Sequence, residues 1–488
     1  MNRRQFLRVA AASLSGAVIT SRCTQKKRPN ILWLISEDTS PDIGCYGEKL
    51  VSTPNIDKLA MQGIRFENAF ASCPVCSPSR SAFMTGMVQT AIGAHNHRTF
   101  AKKPLPEPVQ VITHYFRQAG YYVSNGRGLN REKPGKTDWN FLPGEKPFDG
   151  TDWSGRAEGQ PFFHQINFRL THRAFERDPD NPINPGNVQL PPYYPDHPLA
   201  RRDWADYLES LQVLDKEIGM VLKRLEDEGL ADNTVVFYFG DHGRPHVRGK
   251  QWLYEGGIRV PLIIRFPDGR KAGRINNDLV SLIDLAPTSM SLANIDIPDH
   301  LQGRNFFSFW QRKRKAIFAA RDRCDGTVDR IRCVRTKRFK LIKNFYPERP
   351  YRQFNTYKKH QYPMMTLMKI MHERGELTEA QEHFWLDKRP EYELYDLQAD
   401  PDEINNRADD PEFSDVKQKL IKQLEEWLEK YDQNSYPEDP DRVRVQQELM
   451  QENWVKRMSA RGLDPNISDE DYMSWWESRL LTRKNTAE

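Results

Sequence analysis

From Pro29 onward, short and continuously apolar runs alternate with stretches of helical period. Residues 31–35 (Ile-Leu-Trp-Leu-Ile) are apolar throughout and bounded by polar residues, as in a strand buried on both faces. Residues 54–63 predict a helix, with Thr53 as N-cap, Pro54 at the first position and Gly63 closing it. The pattern continues with a helix over 109–119, strands over 121–123 and 162–170, and a long helix over 204–228. Strands over 234–239 and 261–264 follow, then a helix around 279–292. This alternation predicts an α/β sandwich around a largely parallel sheet. Two irregular stretches, 125–159 and 173–198, are long enough to be functional loops. Near Arg312 the character changes. Strand-like runs at 316–320, 339–344 and 392–397 and an amphipathic helix over 416–431 predict a smaller α+β domain. Beyond about Glu438 a charged, Trp-containing segment reads as a helical tail on the surface. The expected division is a leader 1–22, a large α/β domain 29–311, a second domain 312–435 and a tail 436–488. No internal repeats are visible.

Charge narrows the classes. The chain of 488 residues carries a formal charge of +5, too little to imply nucleic-acid binding. Much of it is local. Residues 1–22 hold four arginines and no acid, and without them the charge falls to about +1. Arg3-Arg4-Gln5-Phe6-Leu7 followed by a mild apolar run resembles a twin-arginine export signal, which predicts an exported, periplasmic protein. Cys23 is a lipid-anchor candidate that Arg22 fits poorly, and secretion is the other alternative. No stretch is apolar for long enough to span a bilayer as a helix. Six cysteines are too few for a disulfide scaffold at this size.

Two strands end in ionisable doublets: 31–35 runs into Glu37-Asp38, and 234–239 into Asp241-His242. In open α/β sheets ligands collect beyond the carboxyl ends of strands. Three carboxylates brought together repel unless a cation lies between them. Oxygen-rich ligation suits Ca²⁺ or Mg²⁺, and His242 leaves Zn²⁺ or Mn²⁺ open.

Between the doublets lies Cys73-Pro74-Val75-Cys76-Ser77-Pro78-Ser79-Arg80. Ser77 as N-cap and Pro78 at the first position place Cys76 at a helix N-terminus, where anions are favoured. Arg80 shares that end of the helix. A nucleophile, a helix dipole and an arginine suit a tetrahedral oxyanion such as sulfate or phosphate. Cys73-x-x-Cys76 also allows a redox pair or half a zinc site. The stretch Cys76 to Gly86, Cys-x-Pro-Ser-Arg-x-x-x-x-Thr-Gly, resembles the signature of type I sulfatases. Pro29-Asn30-Ile31, Gly44-Cys45-Tyr46-Gly47, Thr53-Pro54-Asn55-Ile56-Asp57, Asp241-His242-Gly243 and Tyr254-Glu255-Gly256-Gly257-Ile258-Arg259 extend the likeness to roughly Asp410.

The resemblance implies an alkaline-phosphatase-like sandwich and a sulfuric ester hydrolase. It implies that Cys76 is oxidised to formylglycine by a formylglycine-generating enzyme, and that one Ca²⁺ per chain is held by Glu37, Asp38, Asp241, His242 and residue 76. Arg80 matches the residue steadying the nucleophile, and Lys136 and Lys250 match residues contacting sulfate. His172 matches the proton donor to the leaving oxygen. Asp138 stands where the family often has histidine, which leaves the base open among Asp138, His95 and His97, with His246 a further pocket candidate. Glu37-Asp38, Lys136-Thr137-Asp138 and 319–324 look like bacterial polysaccharide sulfatases related to heparan N-sulfoglucosamine sulfohydrolase. The expected substrate is therefore a sulfated polysaccharide or oligosaccharide, ulvan- or heparan-like. Arg321 and Arg323 are candidates to clamp a uronate carboxylate. The alternatives are a phosphodiester or phosphonate hydrolase of the same superfamily and an N-sulfate hydrolase.

Overall fold

A computed structural model describes residues 28–310, 312–435 and 437–482. The leader 1–22 and Cys23 lie outside these described residues. The main sheet comprises β1 (Asn30–Ser36), β2 (Ile64–Phe70), β3 (Tyr122–Arg127), β4 (Asn130–Pro134), β5 (Phe162–Phe168), β6 (Thr234–Gly240), β7 (Arg259–Val260), β8 (Leu262–Arg265) and β9 (Arg274–Ser281). Their order is β4-β3-β5-β1-β6-β8-β2-β7, with β9 pairing β2. The centre, β3-β5-β1-β6, is parallel throughout. Antiparallel pairs flank it, β4 on one side and β8 between β6 and β2 on the other.

The apolar run in β1 follows from this position. Its side chains alternate between two faces, and both faces are covered. Leu32 and Leu34 pack into the core beneath the helix Pro198–Asp227. Ile31, Trp33 and Ile35 pack into the opposite core with Phe83, Ile112, Phe116 and Leu285. Trp33 anchors that layer, edge-on to Phe83, Phe163 and Phe239. Its indole N–H donates to Ser289 Oγ at 3.1 Å, so its one polar group is satisfied.

The helix expected over 279–292 is shorter. Residues 279–281 belong to β9, parallel to β2, and the chain turns at a Ser281/Asp284 capping box into the helix Leu285–Leu292. Strands β2, β4, β7 and β9 of the main sheet and Ile331–Arg335 of the second sheet go beyond the expected set. The second sheet is antiparallel, β10 (Ile317–Arg321), β11 (Ile331–Arg335), β12 (Phe339–Asn344) and β13 (Tyr392–Asp396) in that order. Leu420, Leu424 and Trp427 of the helix Ser414–Tyr431 pack on Val334, Leu341 and Leu394. β11 escapes an apolar pattern because Arg332 is fully buried on it, paired with Asp322 and Asp432. The tail is helical, Pro440–Ala460 and Asp469–Leu480, but it is no mere surface wrap. Trp454, Met458, Tyr472 and Trp476 enter the main core.

Beside the second sheet, Asp329 is fully buried between two guanidiniums, Arg321 at 2.9 Å and Arg389 at 2.9 Å. Removing one member of a buried charge group leaves the others uncompensated. Asp329→Ala is expected to lower the unfolding free energy by about 3–5 kcal/mol, read from the denaturant midpoint.

Candidate active site

The parallel register of β1 and β6 sets Ser36 opposite Gly240. The residues that follow, Glu37-Asp38 and Asp241-His242, therefore leave the sheet side by side at its carboxyl edge. The two turns are laced together. Asp38 N–H donates to Asp241 Oδ1 at 2.9 Å, Asp241 N–H to Ser36 O at 3.0 Å and Thr39 N–H to His242 O at 2.9 Å. Asp38 takes φ +53°, a left-handed conformation that Asp adopts more readily than most residues. Asp38, Asp241 and His242 are wholly buried.

Cys76 opens the helix Cys76–Thr85, every residue of which is buried. Its Sγ lies 3.2 Å from His242 Nε2 and 3.9 Å from Asp38 Oδ1. Val75, not Ser77, is the N-cap. Ser77 Oγ instead meets His97 Nδ1 at 3.0 Å and accepts from Arg98 N–H at 3.0 Å. Burial alone would push the Cys76 thiol up, but Lys136, Lys250 and His242 outweigh it and bring it below its ordinary value. Arg80, one turn on, donates from Nε to Asp241 Oδ2 at 3.0 Å and from Nη1 to Asn167 Oδ1 at 2.6 Å. Its buried Nη2 has no hydrogen-bond partner among the described residues.

Each carboxylate here meets a cation. Lys250 Nζ lies 2.9 and 2.7 Å from the two oxygens of Asp38, and Lys136 Nζ lies 2.8 Å from Glu37 Oε2. His242 Nε2 approaches Asp38 Oδ1 at 3.1 Å. Burial opposes a charge on His242, yet Asp241, Cys76 and Asp38 lift it to about 10. A donor set that draws protons and ammonium groups this strongly fits a divalent cation. Donor atoms of Asp38, Cys76 and His242 lie within 4.8 Å of one another, and so do those of Glu37, Asp38 and His172. His242 Nδ1 lies 3.0 Å from Gly243 O, which assigns the N–H there and leaves Nε2 to ligate when the ring is neutral.

His172 follows β5, with Nδ1 at 2.7 Å from Arg173 O and Nε2 at 4.0 Å from Asp38 Oδ2. Burial, with Lys250 beside it, draws it down to about 4. Asp138 is gripped by Arg98 through two bonds, 3.2 and 2.9 Å. Burial works against that charge, but Arg98 and Lys136 hold the carboxyl well below the usual range, which makes it a weak base. Asp138→Asn is accordingly expected to lower kcat by less than about tenfold, against the 10²-fold or more expected of a general base. Steady-state sulfate release checks it.

The other sequence candidates are placed differently. His97 lines the cleft above the site, with its other nitrogen 3.9 Å from Asp325. His95 is buried beside Asn96, whose amide meets its Nε2 at 3.3 Å, and it does not line the cleft. His246 is enclosed by Phe175, Trp204 and Tyr207. Arg321 and Arg323 do not reach the cleft to clamp a uronate. Arg321 is held by Asp329 under Trp252, and Arg323 by Glu438, Gln446 and His97 O.

A cleft of about 650 Å³ opens over the site. Asn167 and Tyr357 are among the lining residues that the sequence reading does not single out. Asn167 stands at the end of β5, where the strand-end argument used for β1 and β6 applies equally. Tyr357 arrives from the second domain with no local signal. Its ring lies 5.6 Å from His172 and 5.1 Å from Lys250 Nζ. Its buried hydroxyl has no partner among the described residues.

Comparison with known proteins adds the following. A family model described as sulfatase matches residues 29–142 and 148–295, and one described as N-sulphoglucosamine sulphohydrolase, C-terminal, matches residues 240–386. An ulvan-active sulfatase of Formosa agariphila is 34% identical, covering 82% of this chain and 75% of its own. Human N-sulphoglucosamine sulphohydrolase is 26% identical over 84% of this chain and 91% of its own. Among solved structures, a complex with D-glucosamine-2-N,6-O-disulfate superposes with TM-score 0.61 at 20% identity, covering 85% of this chain and 99% of the other. A phosphonate monoester hydrolase of Agrobacterium radiobacter gives TM-score 0.61 at 18% identity, covering 83% and 96%. At these identities the structures establish the shared fold.

Proposed function

The chain belongs to the sulfatase family and is a sulfuric ester hydrolase, and we propose that it desulfates a uronate-bearing polysaccharide or its oligosaccharides, ulvan- or heparan-like. The observation that carries this reading is Cys76 at a buried helix N-terminus, 3.2 Å from His242 and attended by Lys250 and Lys136. Members of the family work through formylglycine and a divalent metal. We take Cys76 to be converted by a formylglycine-generating enzyme, so that its hydrate supplies the attacking oxygen. Glu37, Asp38, Asp241, His242 and residue 76 would hold one cation, calcium by the preponderance of oxygen donors, which polarises sulfate oxygens and acidifies the nucleophile.

The remaining work falls to the protein's own groups. Lys250 and Lys136 stand where charge grows on the sulfate oxygens, and each such contact is worth on the order of 2–4 kcal/mol. Arg80, fixed by Asp241 and Asn167, offers its unpaired Nη2 to the nucleophile. His172 presents Nε2 to the leaving oxygen. Because its Nδ1 is committed to Arg173 O, that Nε2 must first take up a proton, and the negative charge of Asp38 and of a bound sulfate favours this. Export through the leader to the periplasm is part of the proposal, since a polysaccharide is met outside the cytoplasm.

The test is sulfate release by the formylglycine-bearing, calcium-loaded protein from ulvan and heparan fragments, beside bis(p-nitrophenyl) phosphate and a phosphonate monoester. The expected result is a kcat/KM on an O-sulfated glycan at least 10²-fold above either phosphorus ester. Faster phosphorus chemistry would establish the phosphonate-hydrolase alternative. Release confined to N-sulfated heparan would establish the sulfamate one.

A further inference from the structure

The cleft holds more positive charge than its carboxylates balance. Lys250, Lys136 and Arg98 are matched by Asp38, Glu37 and Asp138. Arg173 is held by Asp203, and Asp325 lies 3.9 Å from His97, which leaves three arginines on the same cleft wall: Arg127, Arg169 and Arg457. All three are exposed, and none is ion-paired among the described residues. Arg127 ends β3 in register with Asn167 of β5, and Arg169 follows the end of β5. Both thus rise from adjacent strand ends beside the catalytic doublets.

Arg457 comes from elsewhere. The helix Pro440–Ala460 presents Gln446, Met450, Asn453 and Arg457 to the cleft, positions spaced by three and four and so on one helix face. The helix is fixed as a wall. Gln446 bridges Arg323 and the Arg98 carbonyl, Thr356 Oγ1 donates to Met450 O at 2.5 Å, and Met458 is fully buried. Both family models end before this helix begins. Arg457 is exposed on this wall and its charge is not needed to hold the fold.

We propose that Arg457, with Arg169 and Arg127, forms an anion subsite for a second acidic group, a carboxylate or a further sulfate, on the saccharide next to the one that loses its sulfate. This rests on the sulfatase reading above. Guanidinium forks match both groups, and a guanidinium gives up its hydration more readily than an ammonium does. The subsite selects oligomeric polyanions over simple sulfate monoesters, in part through the helix Pro440–Ala460.

The experiment compares three probes on the calcium-loaded, formylglycine-bearing enzyme: a uronate-containing sulfated tetrasaccharide from ulvan, the same tetrasaccharide with its carboxyls reduced, and 4-methylumbelliferyl sulfate. Arg457→Ala and Arg169→Ala are each expected to raise KM for the native tetrasaccharide roughly tenfold with kcat little changed. Arg457→Lys should recover part of the loss, and turnover of the methylumbelliferyl ester should not move. If the carboxylate is the second anion, carboxyl reduction costs the wild type the same factor and the variants no more. If it is a sulfate, the variants' loss persists on the reduced probe. Unchanged KM in both alanine variants, or an equal loss on the monoester, overturns the subsite. Calorimetric binding of the tetrasaccharide to wild type and Arg457→Ala separates this from the catalytic reading. An enzyme that releases no sulfate yet shows the tenfold difference in Kd fails as a sulfatase and keeps the subsite. No difference in Kd removes the subsite whatever the turnover.

Discussion

Cys76→Ala is expected to abolish sulfate release, lowering kcat by roughly four orders of magnitude or more, while the unfolding transition stays close to that of the parent. The size of the effect follows from position. Among the described residues, residue 76 alone combines a helix N-terminus with contact to both doublets, His242 at 3.2 Å and Asp38 at 3.9 Å. The small effect on folding follows from what Sγ does there. It fills little volume, and its neighbours Asp38, His242 and Lys250 are already bonded to one another. Mass spectrometry of the peptide carrying residue 76 completes the test. The active enzyme should have no alkylatable thiol at that position. A protein with an intact thiol in every molecule and full activity would refute the mechanism, and it would return Cys73 and Cys76 to the redox alternative.

The parts of the site that were legible are those encoded by short-range rules. Strands buried on both faces read as unbroken apolar runs, so β1 and β6 announce their own ends, and the doublets Glu37-Asp38 and Asp241-His242 stand just past them. Arg80 is found from Cys76 by helical spacing alone. The misplacements share one cause. A charged residue in sequence does not reveal whether its partner is inside the protein. Arg321 and Arg323 look like free guanidiniums until Asp329 and Glu438, brought in by folding, claim them. Asp138 looks like a free base until Arg98, from another loop, neutralises it. Ser77 has the right type and place for an N-cap, but its hydroxyl is spent on His97 and Arg98. The charge of the tail predicts a surface position. Its docking rests on Met450, Trp454 and Met458, four residues apart, a narrow stripe in an otherwise polar helix.

Asp241→Ala should be the most damaging substitution for stability and metal affinity together. Asp241 is wholly buried and accepts the Asp38 N–H on Oδ1 and Arg80 Nε on Oδ2. Burial pushes its carboxyl up, but His242 and Arg80 outweigh that and hold it below its ordinary range, so it is charged in the folded protein. Alanine removes one cation ligand, leaves the Asp38 N–H unsatisfied and strands the Arg80 charge, whose Nη2 is already unpartnered. Breaking a buried pair from one side costs about 3–5 kcal/mol. Asp241→Asn keeps an acceptor for the Asp38 N–H and should recover part of that loss. It should not recover metal affinity, because the missing negative charge is what the cation binds. Chemical denaturation with and without calcium distinguishes the two effects. At a hundredfold excess over Kd, bound calcium stabilises the wild type by about 2.7 kcal/mol. Both variants should show almost none of this shift at the same concentration. A wild-type midpoint that does not move with calcium, magnesium or manganese would remove the cation from the site, and with it the reason for gathering Glu37, Asp38 and Asp241 around one histidine.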